Sequence, residues 1–399
     1  MFRPRSIFAI LVFCLVASVS IVSPAVASVA SAASAQACGT WHIEPSPNPE
    51  VISVLEGVTA LSKQDIWTVG GHNDFNNTHH LTLAEHWDGT KWSVSTTVDK
   101  STEDELLAVS AISANDVWAV GTYQKGNVPG KSLTEHWNGT NWQVIPSPNV
   151  AGKENWLAAV SAHATNDVWA VGYTEVNLGN FQTLTEHWNG TNWSIIPSIN
   201  VGSVGDVLSG VVDVSAKDVW AVGDATVNFS TSQTLIEHWN GVKWKVISSP
   251  SVPSLENQLA GVSALSTQDI WTVGSATDNT SGAVETLVEH WDGTQWSIVT
   301  SPNPPGSQVP INALQSVAAV SAQDVWAVGY RQNAKGTLRT LAEHWNGTKW
   351  VAVASPSRGT GENQLKGIVN IPGTNKVVAV GYSYAPDFSY THTLIMTSC

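Results

Sequence analysis

DVWAVGTYQKGNVPGKSLTEHWNGTNWQVIPSPN, residues 116–149, decides the architecture of this chain. VWAVG, LTEHW and NWQVIPS are short runs rich in Val, Ile, Trp and Thr, and LLAVSAI (106–112) supplies a fourth just upstream. None is long enough to be read as a helix, so each reads as a strand. Asn138-Gly139 sits between the last two runs, where a two-residue type I′ turn is expected because such a turn needs positive φ at both central positions.

The same unit recurs along the chain. DIWTVG begins at 65 and 269, DVWAVG at 116, 167, 218 and 324, and a weaker KVVAVG at 376. EHW followed by Asn or Asp and then Gly begins at 85, 135, 186, 237, 289 and 343, each with a further Trp five residues after the first. A 399-residue chain would ordinarily suggest several domains, but seven copies of one unit without a linker make residues 38–399 a single repeat domain. Four antiparallel strands per unit, seven times over, predict an all-β, seven-bladed β-propeller.

The two ends complete each other. TLIMTSC (393–399) aligns with the third-strand stretch TLAEHWN of the preceding unit, and CGTWHIEPSP (38–47) aligns with a fourth strand that lacks a third before it. The ring is therefore expected to close by the N-terminal strand completing the C-terminal blade. Cys38 and Cys399 both fall on the Asn/Asp position of the interrupted hairpin turn, which predicts a disulfide in place of the missing peptide link. Residues 1–37 read as a secretory signal peptide. Arg3 and Arg5 precede the apolar run SIFAILVFCLVASVSIV, and AVASVASAASAQA offers cleavage after Ala27 or Ala37. Lipidation of Cys38 is the competing reading, and the expected location is extracellular or at the cell envelope.

VWAVG, a variable insert and then EHWNGTNWQVIPSP resemble, in that order, a kelch repeat and also the tectonin-type repeats of lectin-like propellers, over nearly the whole of 38–399. The kelch Gly-Gly doublet survives only as Gly70-Gly71. That resemblance implies the propeller architecture. It implies no single activity, because kelch-like propellers include binding modules and a few enzymes such as a copper-dependent galactose oxidase.

The Glu-His pairs of EHW, such as Glu135-His136, look like acid/base equipment, yet they stand at equivalent positions of six units, whereas an active site occurs once. They are expected to be buried between blades on hydrogen-bond partners. The Asp of each D-[VI]-W reads as a turn residue before the second strand. Nineteen of the 20 Trp occupy repeat positions and read as core.

Function is sought where the units differ. Tight turns join strands one to two and three to four, so they share one face of a propeller, and the longer connections share the other. Tyr123, Tyr173, Tyr330, Tyr382, Tyr384 and Tyr390 all follow a Val-Gly in a two-to-three segment, as do Phe75 and Phe388, while Trp156 reads as lying in a blade-to-blade connection. These nine aromatics are the expected ligand-binding surface, centred on units seven and one. His72, His79, His80 and His392 are weak candidates for a metal site bridging those units, although their spacing matches no metal motif.

With 18 basic and 32 acidic residues the formal net charge is −14. Arg331, Lys335 and Arg339 form the one local basic group in the sequence, so nucleic acid is not an expected partner, nor is a membrane once the signal is removed. No phosphate loop, nucleophile elbow or isolated carboxylate pair is present, and no cofactor is expected. The chain reads as a monomeric, non-enzymatic scaffold for an extracellular glycan or protein. The competing reading is a carbohydrate-active or metal-dependent enzyme with its site on the same face.

Overall fold

A computed structural model describes residues 40–74, 78–228 and 231–398. All regular structure among them is β: 28 strands in four-stranded antiparallel units, six of which run in sequence order from an inner to an outer strand, the first two of them joined by one parallel pair, His80 with Glu103. Blade 3 is representative, with strands Glu154–Ala164, Asp167–Asn177, Asn180–Trp188 and Trp193–Ile195 paired in that order. No helix among the described residues is long and apolar enough to cross a membrane.

The N-terminal strand Trp41–Glu44 pairs antiparallel with Thr391–Ser398, with Trp41 opposite Ser398, and so completes the seventh blade. The residues after it behave like their counterparts elsewhere. Thr393 N donates to Asn48 Oδ1 at 2.8 Å, as Ser132 N donates to Asn149 Oδ1 at 2.9 Å in blade 2. Seven apolar clusters each join two neighbouring blades, and one of them packs Leu55, Ile66 and Trp92 of blade 1 against Val378, Val380 and Ile395 of blade 7. Cys38, Cys399 and residues 1–37, the expected signal peptide, lie outside the described residues, so the expected disulfide does too.

Each repeated residue has a packing reason. The Trp of D-[VI]-W stands edge-on to the outer-strand Trp of the next blade, with ring centroids 5.2–5.6 Å apart at six seams, Trp326 on Trp41 among them. The Gly ending VWAVG is required by a β-bulge one residue past the inner-strand Leu. A Cβ at Gly121 would sit 1.9 Å from the carbonyl oxygen of Glu105, and the other six blades repeat the bulge.

Two expectations need correction. The Asn-Gly hairpins are not two-residue type I′ turns, because Asn138 does not take positive φ and only Gly139 does, at 90°. Instead Asn138 Oδ1 accepts from the backbone N–H of Thr140 at 3.0 Å and Asn141 at 3.1 Å, closing a four-residue loop beneath the Trp137–Trp142 pair. The Asp of D-[VI]-W is the first residue of its strand rather than part of the turn, and it serves the histidine of EHW. Nε2 of His86, His136, His187, His238, His290 and His344 each lies 2.8 Å from its Asp Oδ1, with the imidazole 4.1–4.5 Å from the neighbouring Trp ring.

Candidate functional site on the long-loop face

Alternation along the third strand turns Glu away from His, so the two never act as a pair. Glu85, Glu135, Glu186, Glu237, Glu289 and Glu343 are fully buried against the preceding blade. Their partners are sparse. Glu186 accepts from Ser132 Oγ and Ser147 Oγ, Glu135 from the Val98 N–H and Glu237 from the Ile199 N–H, while both oxygens of Glu85 and Glu343 have none. Burial therefore pushes these carboxyls up, to about 7 for Glu186 and to about 8 for the other five. Blade 7 has Met396 at this position, buried equally well, so the slot accepts an apolar side chain of similar size.

On the opposite face the two-to-three loops turn on glycines of positive φ. Gly126, Gly179, Gly282 and Gly336 take 64°, 73°, 72° and 81° in blades 2, 3, 5 and 6. Blade 7 puts Phe388 there, at φ 57°, the one positive-φ residue other than glycine among those described. An L-residue pays roughly 1–2 kcal/mol for that conformation. Its loop is tied by Ala385 N to Tyr390 O at 2.9 Å, Phe388 N to Ala385 O at 3.0 Å, and Ser389 Oγ to Asp387 Oδ1 at 2.6 Å.

The loop carries a run of rings. Tyr382 contacts Tyr384 at 5.4 Å, Tyr384 contacts Phe388 at 5.5 Å, and Tyr390 stacks on His392 at 4.5 Å. Exposure sorts them. Tyr382 is 9% exposed and acts as a plug, whereas Tyr390 is 42% and Phe388 62% exposed. Blade 3 holds a second group, in which Trp156 lies flat on Tyr173 at 6.0 Å and Phe181 meets Tyr173 edge-on at 5.2 Å. Trp156 belongs to the inner strand and sits directly opposite Tyr173, not in the blade-to-blade connection. It and Tyr173 are half-buried, as are Tyr123, Tyr330 and Tyr384, and Phe75 lies outside the described residues.

The channel runs through the middle, a cavity of about 220 Å³ to which every inner strand gives three residues around its bulge. Glu56 and Lys366 are the charged residues on that lining, 3.7 Å apart across the junction of blades 1 and 7. Burial raises the Glu56 carboxyl to about 7 against the opposing pull of Lys366, whose ammonium also lies 5.8 Å from the Tyr382 ring.

The four histidines are not brought together. His79 Nδ1 binds Asp74 Oδ2 at 2.9 Å, His80 Nδ1 lies 2.7 Å from Asn73 Oδ1 with Nε2 3.8 Å from Glu105, and His392 stacks beneath Tyr390. His72 lies between Ser53 and Leu81 in its sheet. Among the described residues no three His, Cys, Asp or Glu side chains form a metal-ligand group.

Two features escaped the sequence reading. An Asx at the second position of most inner strands folds the preceding connection, as Asn155 Oδ1 does for Val150 N at 2.9 Å and Asn257 Oδ1 for Val252 N at 3.0 Å. The signal was present in the repeated E-N-x-L of ENWL and ENQL. The second is a basic group that the sequence did not suggest. Lys100, Lys125 and Lys131, from three separate segments, line one groove with Tyr123, whereas Arg339 of the expected group is tied to the carbonyls of Thr360 at 2.8 Å and Gly361 at 2.7 Å.

No protein-family model matches the chain, and no curated protein matches it in sequence. Similarity lies in the fold. A structure of YCF48 bound to D1 peptide matches at TM-score 0.50 and 14% identity over 89% of this chain and 94% of that one. The GH74 xyloglucanase of Xanthomonas campestris matches at 0.53 and 12% over 89% of this chain and 55% of that one, and a polysaccharide lyase of family PL25, an ulvan lyase, at 0.51 and 10% over 74% and 80%. With four-stranded blades and these neighbours, the chain has the β-propeller fold.

Proposed function

We propose that this protein is a secreted, kelch-like, non-enzymatic propeller that binds an extracellular glycan through its long-loop face, with the blade 7 loop as the principal contact. The observation that carries this is Phe388. Its ring stands 62% exposed on a backbone conformation that other blades give to glycine. A large apolar side chain on a costly backbone and in water serves neither folding nor solubility, and strained residues of this kind cluster at ligand sites. Tyr384 backs the ring, and the Tyr390–His392 stack adds a second platform with polar tips. Rigid aromatic rings with hydroxyls beside them suit the apolar faces and rim hydroxyls of a sugar. In support, propellers of related shape carry a peptide complex in one case and polysaccharide-active enzymes in two others, so the scaffold accommodates chain-like ligands.

The test is a glycan array with the purified protein and its Phe388→Gly variant. Glycine relieves the backbone, so the variant should melt at the same or a higher temperature and lose the glycan. Retained binding would remove the blade 7 loop from the site. Release of new reducing ends from the bound glycan would replace the binding module by the enzyme.

A further inference from the structure

A groove lies on the same face in blade 2, and neither Phe388 nor its loop contributes to it. Lys100 comes from the connection ahead of blade 2, Lys125 from that blade's two-to-three loop and Lys131 from the start of its third strand. With Tyr123, Val128 and Pro129 they line a groove of about 500 Å³, within the usual range for a small-ligand pocket. All three lysines are exposed, and the Lys100 ammonium is held 5.2 Å from the Tyr123 ring centroid, which fixes its charge over the groove.

Two of the carboxylates nearby are engaged elsewhere, and the Glu103 side chain lines the neighbouring cleft rather than this groove. Asp99 accepts from Thr82 N at 2.9 Å and Thr82 Oγ1 at 2.8 Å, and the buried Asp104 is filled by the backbone N–H groups of Lys100 and Ser101. Among the described residues none of the three lysines has an ion-pair partner. In a chain of net charge −14 with only 18 basic residues, three unneutralised ammonium groups converge on one aromatic-floored groove. A protein this acidic repels long polyanions, and Glu103, Glu105 and Glu154 line the neighbouring cleft. The occupant is therefore short, with anionic groups set beside an apolar face.

We propose that this groove binds an acidic saccharide, its carboxylate or sulfate groups held by Lys100, Lys125 and Lys131 and its ring face resting on Tyr123, Val128 and Pro129. The test uses three short probes, tetragalacturonate, its neutral methyl ester and a sulfated tetrasaccharide, with hexaglutamate as the peptide counterpart. At least one acidic sugar should bind, more weakly as salt rises, and the neutral ester should not. Replacing Lys100, Lys125 and Lys131 together by Gln should weaken it at least about tenfold. The same net change made on the short-turn face, at Lys217, Lys243 and Lys245, should leave affinity as it was, and so should Phe388→Gly, which separates this site from the blade 7 loop. Equal loss from the Lys217 set would reduce the effect to overall charge and overturn the site. So would binding of the ester as tight as that of the acid, no binding of either acidic sugar, or hexaglutamate binding as well as the sugars.

Discussion

Glu343→Met tests the buried carboxyls most directly, because blade 7 already places Met396 in that slot. Burial alone raises the Glu343 carboxyl from 4.5 to about 8, with no donor to either oxygen. Its folded-state value is thus above the unfolded one. Folding takes up a proton between those limits, so the contribution is present in full below about pH 4.5 and is lost as pH rises toward 8. At about 1.36 kcal/mol per pH unit, that loss reaches roughly 4–5 kcal/mol for this one residue. Met carries no proton to lose and keeps nearly the same volume. In urea unfolding at constant ionic strength, the variant should match the parent within about 1–2 kcal/mol near pH 4.5 and exceed it by about 4 kcal/mol at pH 8. If parent and variant weaken in parallel between those two pH values, the carboxyl is ionised in the fold and the reasoning fails. Five further buried glutamates titrate in the same direction, so the parent should show a steep fall of melting temperature from pH 5 to 8.

His136→Ala removes both the 2.8 Å contact to Asp116 and the packing on Trp118, and should cost about 1–3 kcal/mol by thermal or urea unfolding; His290→Ala should cost a similar amount, since its blade repeats the contact. Trp41→Ala empties the edge-on contact with Trp326 at the closing blade, and a loss of about 3–5 kcal/mol is expected; an unchanged melting temperature would mean the strand Trp41–Glu44 does not hold the ring. The proposed Cys38–Cys399 link predicts an intact mass two hydrogens below the reduced value and a peptide joining the two cysteines, and two free thiols would refute it.

The blade count was legible because the chain writes the same four strands in every unit, and strand chemistry is local. Trp41 announced its blade in the same way, through a Trp-x-x-x-Pro-Ser-Pro ending shared with Trp142. What failed was whatever depends on a side chain choosing among partners. Asn138 was read by its tolerance of positive φ, but its carboxamide closes the loop by accepting from Thr140 and Asn141. Asp116 was read as a turn former because the residue that claims it, His136, is 20 positions away. Trp156 was placed in a connection because it falls outside the repeat, and only the strand pairing puts it opposite Tyr173. The lysine groove could not be read at all, since Lys100 reaches Lys125 and Lys131 through the stacking of one blade's exit against the next blade's loop.

The two faces differ in what they tolerate, for a reason visible in single substitutions. On the short-turn face the two turns of a blade are packed on each other, as in blade 2. Gly139 lies against Asn115, where a Cβ would come within 2.4 Å, and Trp137 Nε1 donates to Ala114 O at 3.1 Å, so change there strains two turns at once. On the long-loop face the glycines at positive φ face open space, as Gly126 and Gly179 do, with nothing within 4 Å of an added Cβ. Residues can therefore be exchanged there at the cost of local backbone strain alone, without disturbing the core. Phe388 is such an exchange already made, and Lys100, Lys125 and Lys131 stand where side chains are free to answer to a ligand. A ring that is nearly identical in its packing can thus carry a different ligand contact in each blade.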